Sequence, residues 1–362
     1  MARVLTYDEI DREEWSKLVR ESKTGTWFQT PEAYEFYKSL PELFRPFVMA
    51  ISHQPTAVRD QALRGVCVGY VTVEKNPIKQ FFTRRAIIIG GPALADDCTE
   101  DEVCELMSAV REMLQSQAIY IETRNLNDYS RWKGAFETAG FDYQAHLNFH
   151  VHTNQPWEKI EASIGKHRKK YIRLSLRDGA TIADNPTIEQ VHTYYDILLE
   201  LYRTKVKMPL QPWSFFEKLY QCESCKYLLV LYEGQVIGGS ICMLLTGHGV
   251  YEWYACGKDG VFKNIHPSSV TKYAGMKYAY ENGYQIFDMM GAGKPEEEYA
   301  VRDFKAEFGG ELVEYGRFLH VAKQMLYAIG KMGVRMMKNK CGRHIVRDGR
   351  TKDEGVFREI IE

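Results

Sequence analysis

Apolar and polar positions along this chain switch repeatedly between a helical and a strand-like period. Val103, Leu106, Val110 and Leu114 fall three or four residues apart, behind Thr99 and the acids Glu100, Asp101 and Glu102. A hydroxyl to cap the first amides, acids in the first turn and one apolar stripe predict an amphipathic helix. Thr30-Pro31-Glu32 predicts another start, for a helix carrying Tyr34, Tyr37 and Lys38. Strands are predicted at Phe47–Ile51, Val66–Val73 and Arg85–Ile89, the last running into Gly90-Gly91-Pro92. A strand over Ala118–Thr123, a helix over Tyr129–Ala139 and a strand pair within Phe141–Val151 follow.

The second half keeps this order. Pro267–Asn282 reads as a helix, Gln285–Met289 as a strand, Val301–Phe308 as a helix and Leu312–Val321 as strand. Between the halves, Thr153–Pro156 is a polar linker candidate, and Trp157–Leu176 reads as one helix. An amphipathic helix (Val191, Tyr194, Leu198, Leu201, Tyr202) comes next, then a break at Pro209–Pro212 and a helix over Trp213–Tyr220. Lys226–Tyr232, Val236–Leu245 and Gly249–Cys256 read as three antiparallel strands.

Two local matches sharpen the repeat. Gly140–Val151 and Gly310–Val321 have equal length and end in Phe-His-Val and Leu-His-Val. Glu122 and Asp288 each sit near the end of the strand before the last helix of their half. These offsets, 170 and 166 residues, are close to half the chain. The order implies duplication of one mixed α/β domain, the alternative being chance likeness of α/β units. The expected division is 1–153, 154–320 and a basic C-terminal helix or tail over 321–362 that packs back on the first domain.

The 362 residues suit about two domains. With 45% apolar and 13% aromatic residues the chain has ample core material. Lys+Arg 47 against Asp+Glu 48 excludes a uniformly basic nucleic-acid coat but permits local basic patches. Two such patches exist. Lys166–Arg177 holds six Lys/Arg and no acid, and Val321–Lys352 holds nine against Asp348 alone. The first is an exposed charged helix or a polyanion site. The second, with Met, Leu, Ile and Val at helical spacing, packs on the first domain or meets an anionic membrane or tRNA phosphates. Apolar runs such as Ala86–Ile89 and Leu228–Leu231 are far below the ~20 residues of a membrane span. Asp8 and Glu9 stand where a signal peptide would be apolar, so a cytoplasmic protein is expected, either free or peripheral at the membrane's inner face. Eight dispersed Cys fit reduced thiols. Cys222 and Cys225 lack a second pair for zinc, and Gly291-Ala292-Gly293-Lys294 is followed by Pro295 where a phosphate-binding loop needs Ser or Thr.

Several segments together resemble the FemABX-type aminoacyltransferases, which look like two fused GNAT domains. They are Trp27–Pro31 with Tyr34 and Lys38, Gly90-Gly91-Pro92, Ile164–Gly179, Gly238-Gly239-Ser240 and Tyr251–Gly257, then Gly283–Asp288, Phe304-Lys305 and Phe308-Gly309-Gly310. The resemblance implies a mixed α/β fold of two tandem GNAT-like domains and amide formation by acyl transfer to an amine. Family members move an amino acid from aminoacyl-tRNA to a peptidoglycan-precursor peptide. The implied partners are therefore aminoacyl-tRNA and a nucleotide- or lipid-linked precursor, with no cofactor. Acyl-CoA is the alternative donor, on a lipid or saccharide amine, and a binding protein without catalysis is a further alternative. The single-domain GNAT loop Arg/Gln-x-x-Gly-x-Gly/Ala, which binds CoA pyrophosphate, has no good copy here.

Such a reaction needs positive charge or hydrogen-bond donors at the developing oxyanion. The resemblance puts Lys305 in that role beside Phe304, where the residues alone also permit a solvated lysine. It puts Lys38 and Arg168, with Tyr171, on the acceptor's diphosphate, and leaves open which member of the cluster from Lys166 to Lys170 takes part. Glu122 would accept a proton or orient the amine, although Thr123 follows where the family often has Pro, and a structural carboxylate is the alternative. Tyr254 would line the acceptor channel or belong to the core.

Overall fold

The computed structural model describes residues 2–53 and 62–332. The chain runs β1 (Ala2–Thr6), α1 (Arg12–Glu21), α2 (Pro31–Lys38), β2 (Phe44–His53), β3 (Leu63–Thr72), α3 (Pro77–Thr83), β4 (Ala86–Gly90), β5 (Ala93–Leu94), α4 (Glu100–Leu114), β6 (Tyr120–Asn125), α5 (Lys133–Thr138) and β7 (Asp142–Gln144). It continues with β8 (Leu147–His152), α6 (Trp157–Ser163), α7 (Lys166–Arg177), β9 (Thr181–Ala183), α8 (Ile188–Leu201), α9 (Trp213–Tyr220), β10 (Cys225–Tyr232), β11 (Gln235–Leu245) and β12 (Gly249–Gly257). The last elements are α10 (Pro267–Glu281), β13 (Ile286–Gly291), α11 (Ala300–Ala306), β14 (Glu311–Glu314) and β15 (Arg317–Val321).

Local chemistry sets the main helix starts. Thr30 accepts from the Ala33 amide with Pro31 in the first position of α2. At α4, Thr99 and Glu102 close a reciprocal capping box. Behind that cap, Leu106 and Val110 pack with Ile88, Phe136 and Phe318 in the core of the first unit.

The described residues form two units. One comprises the residues up to Ala145 together with those from Tyr315 onward; the other is His146–Glu314. The first sheet has the order β1-β2-β3-β4-β6-β15-β7, with β5 against β3. The second has the order β9-β10-β11-β12-β13-β8-β14. Each has one parallel neighbour pair, β4–β6 and β12–β13, at the same place in the order. Two mixed α/β units of one topology are therefore present, as the repeat implied.

The strand between β6 and β7 comes from the far end of the chain, and the strand between β13 and β14 comes from the first half. The two segments that match in sequence, Gly140–Val151 and Gly310–Val321, each give one strand to either unit. The expected strand pair within Phe141–Val151 is thus not a hairpin, because β7 pairs with β15 and β8 with β13 and β14. Only Ala145 and His146 separate β7 from β8. A two-residue hairpin needs left-handed positions that Gly, Asn or Asp supply, and this link has none. The stretch read as strand over Leu312–Val321 breaks at Tyr315-Gly316, with Gly316 at φ 65. The unit division consequently falls at 145/146 and 314/315 rather than at 153/154 and 320/321.

The helix read over Trp157–Leu176 is two helices. Gly165 interrupts it, donating its amide to the Glu307 carbonyl at 2.7 Å, and a Cβ there would meet that oxygen. Of the C-terminal helix, residues 324–332 are helical and the Tyr327 ring meets Tyr120 with centroids 5.4 Å apart. The remainder, 333–362, lies outside the described residues. The described cysteines are free thiols. Among the described residues no helix is long and apolar enough to cross a membrane.

Candidate active site in the second unit

Pairing between β12 and β13 runs from Gly249/Ile286 to Tyr251/Asp288 and ends there. Beyond that point the strands part, and α10 and α11 close the gap. The resulting cleft is lined by Glu252 and Ala255 of β12, Ser268, Thr271 and Lys272 of α10, Met289–Gly291 of β13, and Val301, Phe304 and Lys305 of α11. A bulge in β12, where register against β11 shifts between Ile241 and Cys242, leaves Trp253 unopposed. The extra residue puts Glu252 and Ala255, three apart, on the same face.

Lys305 is buried, at 4% exposure. Its ammonium donates to the carbonyls of Met289 and Gly291 at 2.6 Å each and lies 3.5 Å from that of Met290. Those carbonyls converge because Met290 adopts φ 59, a left-handed conformation rare for a side chain of its kind. Asp288 holds the turn by accepting the Met290 amide at 2.6 Å, and His150 Nε2 of β8 lies 3.2 Å from its other oxygen. Burial lowers the Lys305 pKa to about 8, against the opposing pull of Asp288. An ammonium has three N–H groups, so two short bonds leave the third weakly used and able to turn to a substrate oxygen.

Phe304, one residue earlier, packs under the Arg168 guanidinium, which lies 4.5 Å from its ring centroid. Arg168 also grips Glu307 through two bonds of 3.1 and 3.0 Å and approaches Tyr171 and Phe308. This clamp docks α7 on α11. It spends the planar fork that phosphate binding would use. Tyr171 stacks on His266 with centroids 3.9 Å apart, and Lys166 is exposed. Tyr254 is buried at 2% exposure against Phe215 and Phe216 of α9.

The first unit holds the other two sequence candidates. Lys38, at the end of α2, is exposed, with its ammonium 5.0 Å from the Tyr7 ring centroid. Glu122 is buried on β6 between Arg124 at 3.0 Å and Arg317 at 3.1 Å. Burial alone would raise its proton affinity, but the two guanidiniums outweigh that and hold its pKa at about 2. A carboxylate so stabilised is a poor proton acceptor.

The sequence reading missed Glu252, Thr271 and Lys272. Lys272 donates to Glu252 Oε2 within the cleft wall. Burial, reinforced by the Lys305 charge, pushes its ammonium well below the usual lysine range. One signal was available: Ser268 and Met276 flank Lys272 at four residues' distance in a run of small and apolar residues, so its partner had to be distant in sequence.

The start of α10 also bears on chemistry. Pro267 has no amide hydrogen, Ser268 donates its amide to Asp259 at 3.3 Å and its hydroxyl to the same carboxylate, and the amides of Ser269 and Val270 go to the His266 carbonyl at 3.0 and 3.2 Å. The helix start offers an incoming anion a carboxylate instead of open amides.

Residues 162–305 match the family model described as an acetyltransferase (GNAT) domain. The whole fold is similar to the crystal structure of FemX, with a TM-score of 0.68 at 15% identity over 90% of this chain and 99% of that one. The C-terminal domain (DUF2156) of a putative lysylphosphatidylglycerol synthetase from Agrobacterium fabrum follows at 0.55 and 12% over 89% and 95%. A tandem GNAT protein from the clavulanic acid biosynthesis pathway gives 0.52 and 9% over 89% and 99%. No curated protein matches the sequence. The chain has a tandem GNAT-like fold similar to that of FemX, and the GNAT domain match falls within its second unit.

Proposed function

We propose that the protein transfers an aminoacyl group from aminoacyl-tRNA to an amine of a peptidoglycan-precursor peptide. The observation that carries the donor class is the start of α10, whose amides are already spent on Asp259 and His266. A CoA pyrophosphate would need those amides, whereas an aminoacyl ester brings only its carbonyl and amino acid into the cleft. In the reaction the acceptor nitrogen bonds to the ester carbonyl carbon and the ribose oxygen leaves. The proton lost by the amine ends on that ribose hydroxyl. Lys305 faces the oxyanion formed between these events. No enzyme carboxylate is required as base, which suits the locked state of Glu122.

In the second unit the exposed Lys166 is a cation available to the acceptor's phosphates, while Arg168 holds the wall behind Phe304. For a lipid-linked acceptor the reading includes contact with an anionic bilayer. The segment first expected to make it, 321–362, is described only to residue 332, where Met325, Ile329 and Met332 are exposed. A second surface fits the same task. On α3, Ile78, Phe81 and Phe82 are 71%, 47% and 45% exposed on one helix face, flanked by Lys75, Lys79, Arg84 and Arg85.

The test pairs purified protein with charged tRNA and precursor peptide, and separately with acyl-CoA. Amide formation from charged tRNA supports the reading. Turnover from acyl-CoA without turnover from charged tRNA overturns it.

A further inference from the structure

Two buried polar atoms in the cleft wall have no hydrogen-bond partner among the described residues: Glu252 Oε1 and Thr271 Oγ1. Their residues are 3% and 1% exposed, come from different elements and both line the cleft. An unpaired buried carboxylate oxygen is costly, and folded proteins rarely keep one without a use. The neighbouring cations do not serve it. Lys272 is engaged with the other oxygen of Glu252, and Lys305 with backbone carbonyls.

We infer that Glu252 Oε1 and Thr271 Oγ1 form a subsite for a primary ammonium group of a substrate. A carboxylate oxygen only accepts, so its ligand must bring N–H or O–H, and an ammonium can supply one hydrogen to each of the two oxygens. A carboxylate or phosphate placed there would face Glu252 directly. Lys272 accommodates the added charge. Its ammonium is already destabilised by burial and by Lys305, so its hold on Glu252 is the contact that can yield to an incoming cation. The inference rests on the aminoacyl-transfer reading, because that reaction brings two such groups to the cleft: the α-ammonium of the donor's amino acid and the acceptor amine before it loses its proton.

The experiment uses the full chain and two pairs of probes in calorimetry. One pair is 3′-alanylamido-3′-deoxyadenosine and its propionamido counterpart, which lacks only the α-amino group. The other is a lysyl peptide and its Nε-acetylated form. The subsite predicts a preference of about tenfold or more for the amino member of at least one pair, and that pair names the source. Glu252→Gln, which keeps the shape and removes the carboxylate charge, should abolish the preference. Thr271→Val should reduce it. Binding of both members of each pair with equal affinity overturns the subsite while leaving the donor reading intact, and water then fills the two oxygens. Binding of neither nucleoside, with saturable binding of CoA, overturns the donor reading and the subsite with it. Because wild-type protein alone separates these results, they do not depend on either variant folding.

Discussion

At the scale of single residues, two buried charges that the sequence could not rank have opposite characters. Lys305 is held by carbonyls, and burial brings its pKa down to about 8. It stays mostly protonated at neutral pH and loses its proton as pH rises through that value, so the rate should fall on the alkaline side near pH 8 if the ammonium stabilises the oxyanion. Lys305→Met should cost roughly 10²–10³ in kcat, the scale of removing one oxyanion donor. A full rate in that variant, or an unchanged alkaline limb, removes Lys305 from the chemistry. Glu122 is the contrasting case. Its folded pKa of about 2 lies below the unfolded value, so its stabilisation is complete above the unfolded pKa and is lost as pH falls toward 2. A shift of that size corresponds to ~3 kcal/mol. Glu122→Gln should destabilise the protein by about that amount at pH 7 in urea titrations, with the deficit shrinking in acid and turnover per folded molecule kept. Both lysine and carboxylate stood in the sequence as site candidates. Only their surroundings separate a poised donor from a locked structural anion.

At the scale of elements, pattern carried far where local chemistry decides and failed where a distant contact decides. The caps of α2 and α4 were legible because the capping side chains lie within three residues of the amides they satisfy. The break between α6 and α7 was not, because its cause is the Glu307 carbonyl pressed on Gly165. The cleft was half legible. Phe304 and Lys305 could be singled out, but Glu252 depends on a bulge that shifts its facing, and bulges leave little trace in an alternating pattern. The exposed face of α3 yields its own prediction. Ile78→Ser, Phe81→Ser and Phe82→Ser together touch no core, so the triple variant should fold as the parent does. It should lose most binding to vesicles rich in anionic lipid in a sedimentation assay. Equal sedimentation of parent and variant would assign membrane contact elsewhere or nowhere.

At the scale of the whole molecule, the exchanged strands govern how the chain can be divided. β15 stands between β6 and β7, and Phe318 stacks on Phe136 with centroids 3.9 Å apart. A fragment ending at Ala145 would expose the β6 edge and leave β7 without its neighbour. We expect such a fragment to be insoluble or unfolded by circular dichroism, and soluble once 315–332 is supplied by a short linker. A cooperative fold from the bare fragment would sink this account.

Most elements and their order were determined by the sequence itself, through periodicity and capping residues that act over a few residues; the repeat was legible as two matching segments half a chain apart, and the acyltransfer class only through the resemblance of its motifs to a known family. The tertiary structure alone decided which sheet each matching strand joins, which carboxylate is locked between guanidiniums, and that Lys272 and Glu252 meet in the cleft. Those outcomes depend on burial and on partners from remote segments, and charge in a low-dielectric interior is set by such neighbours rather than by residue type.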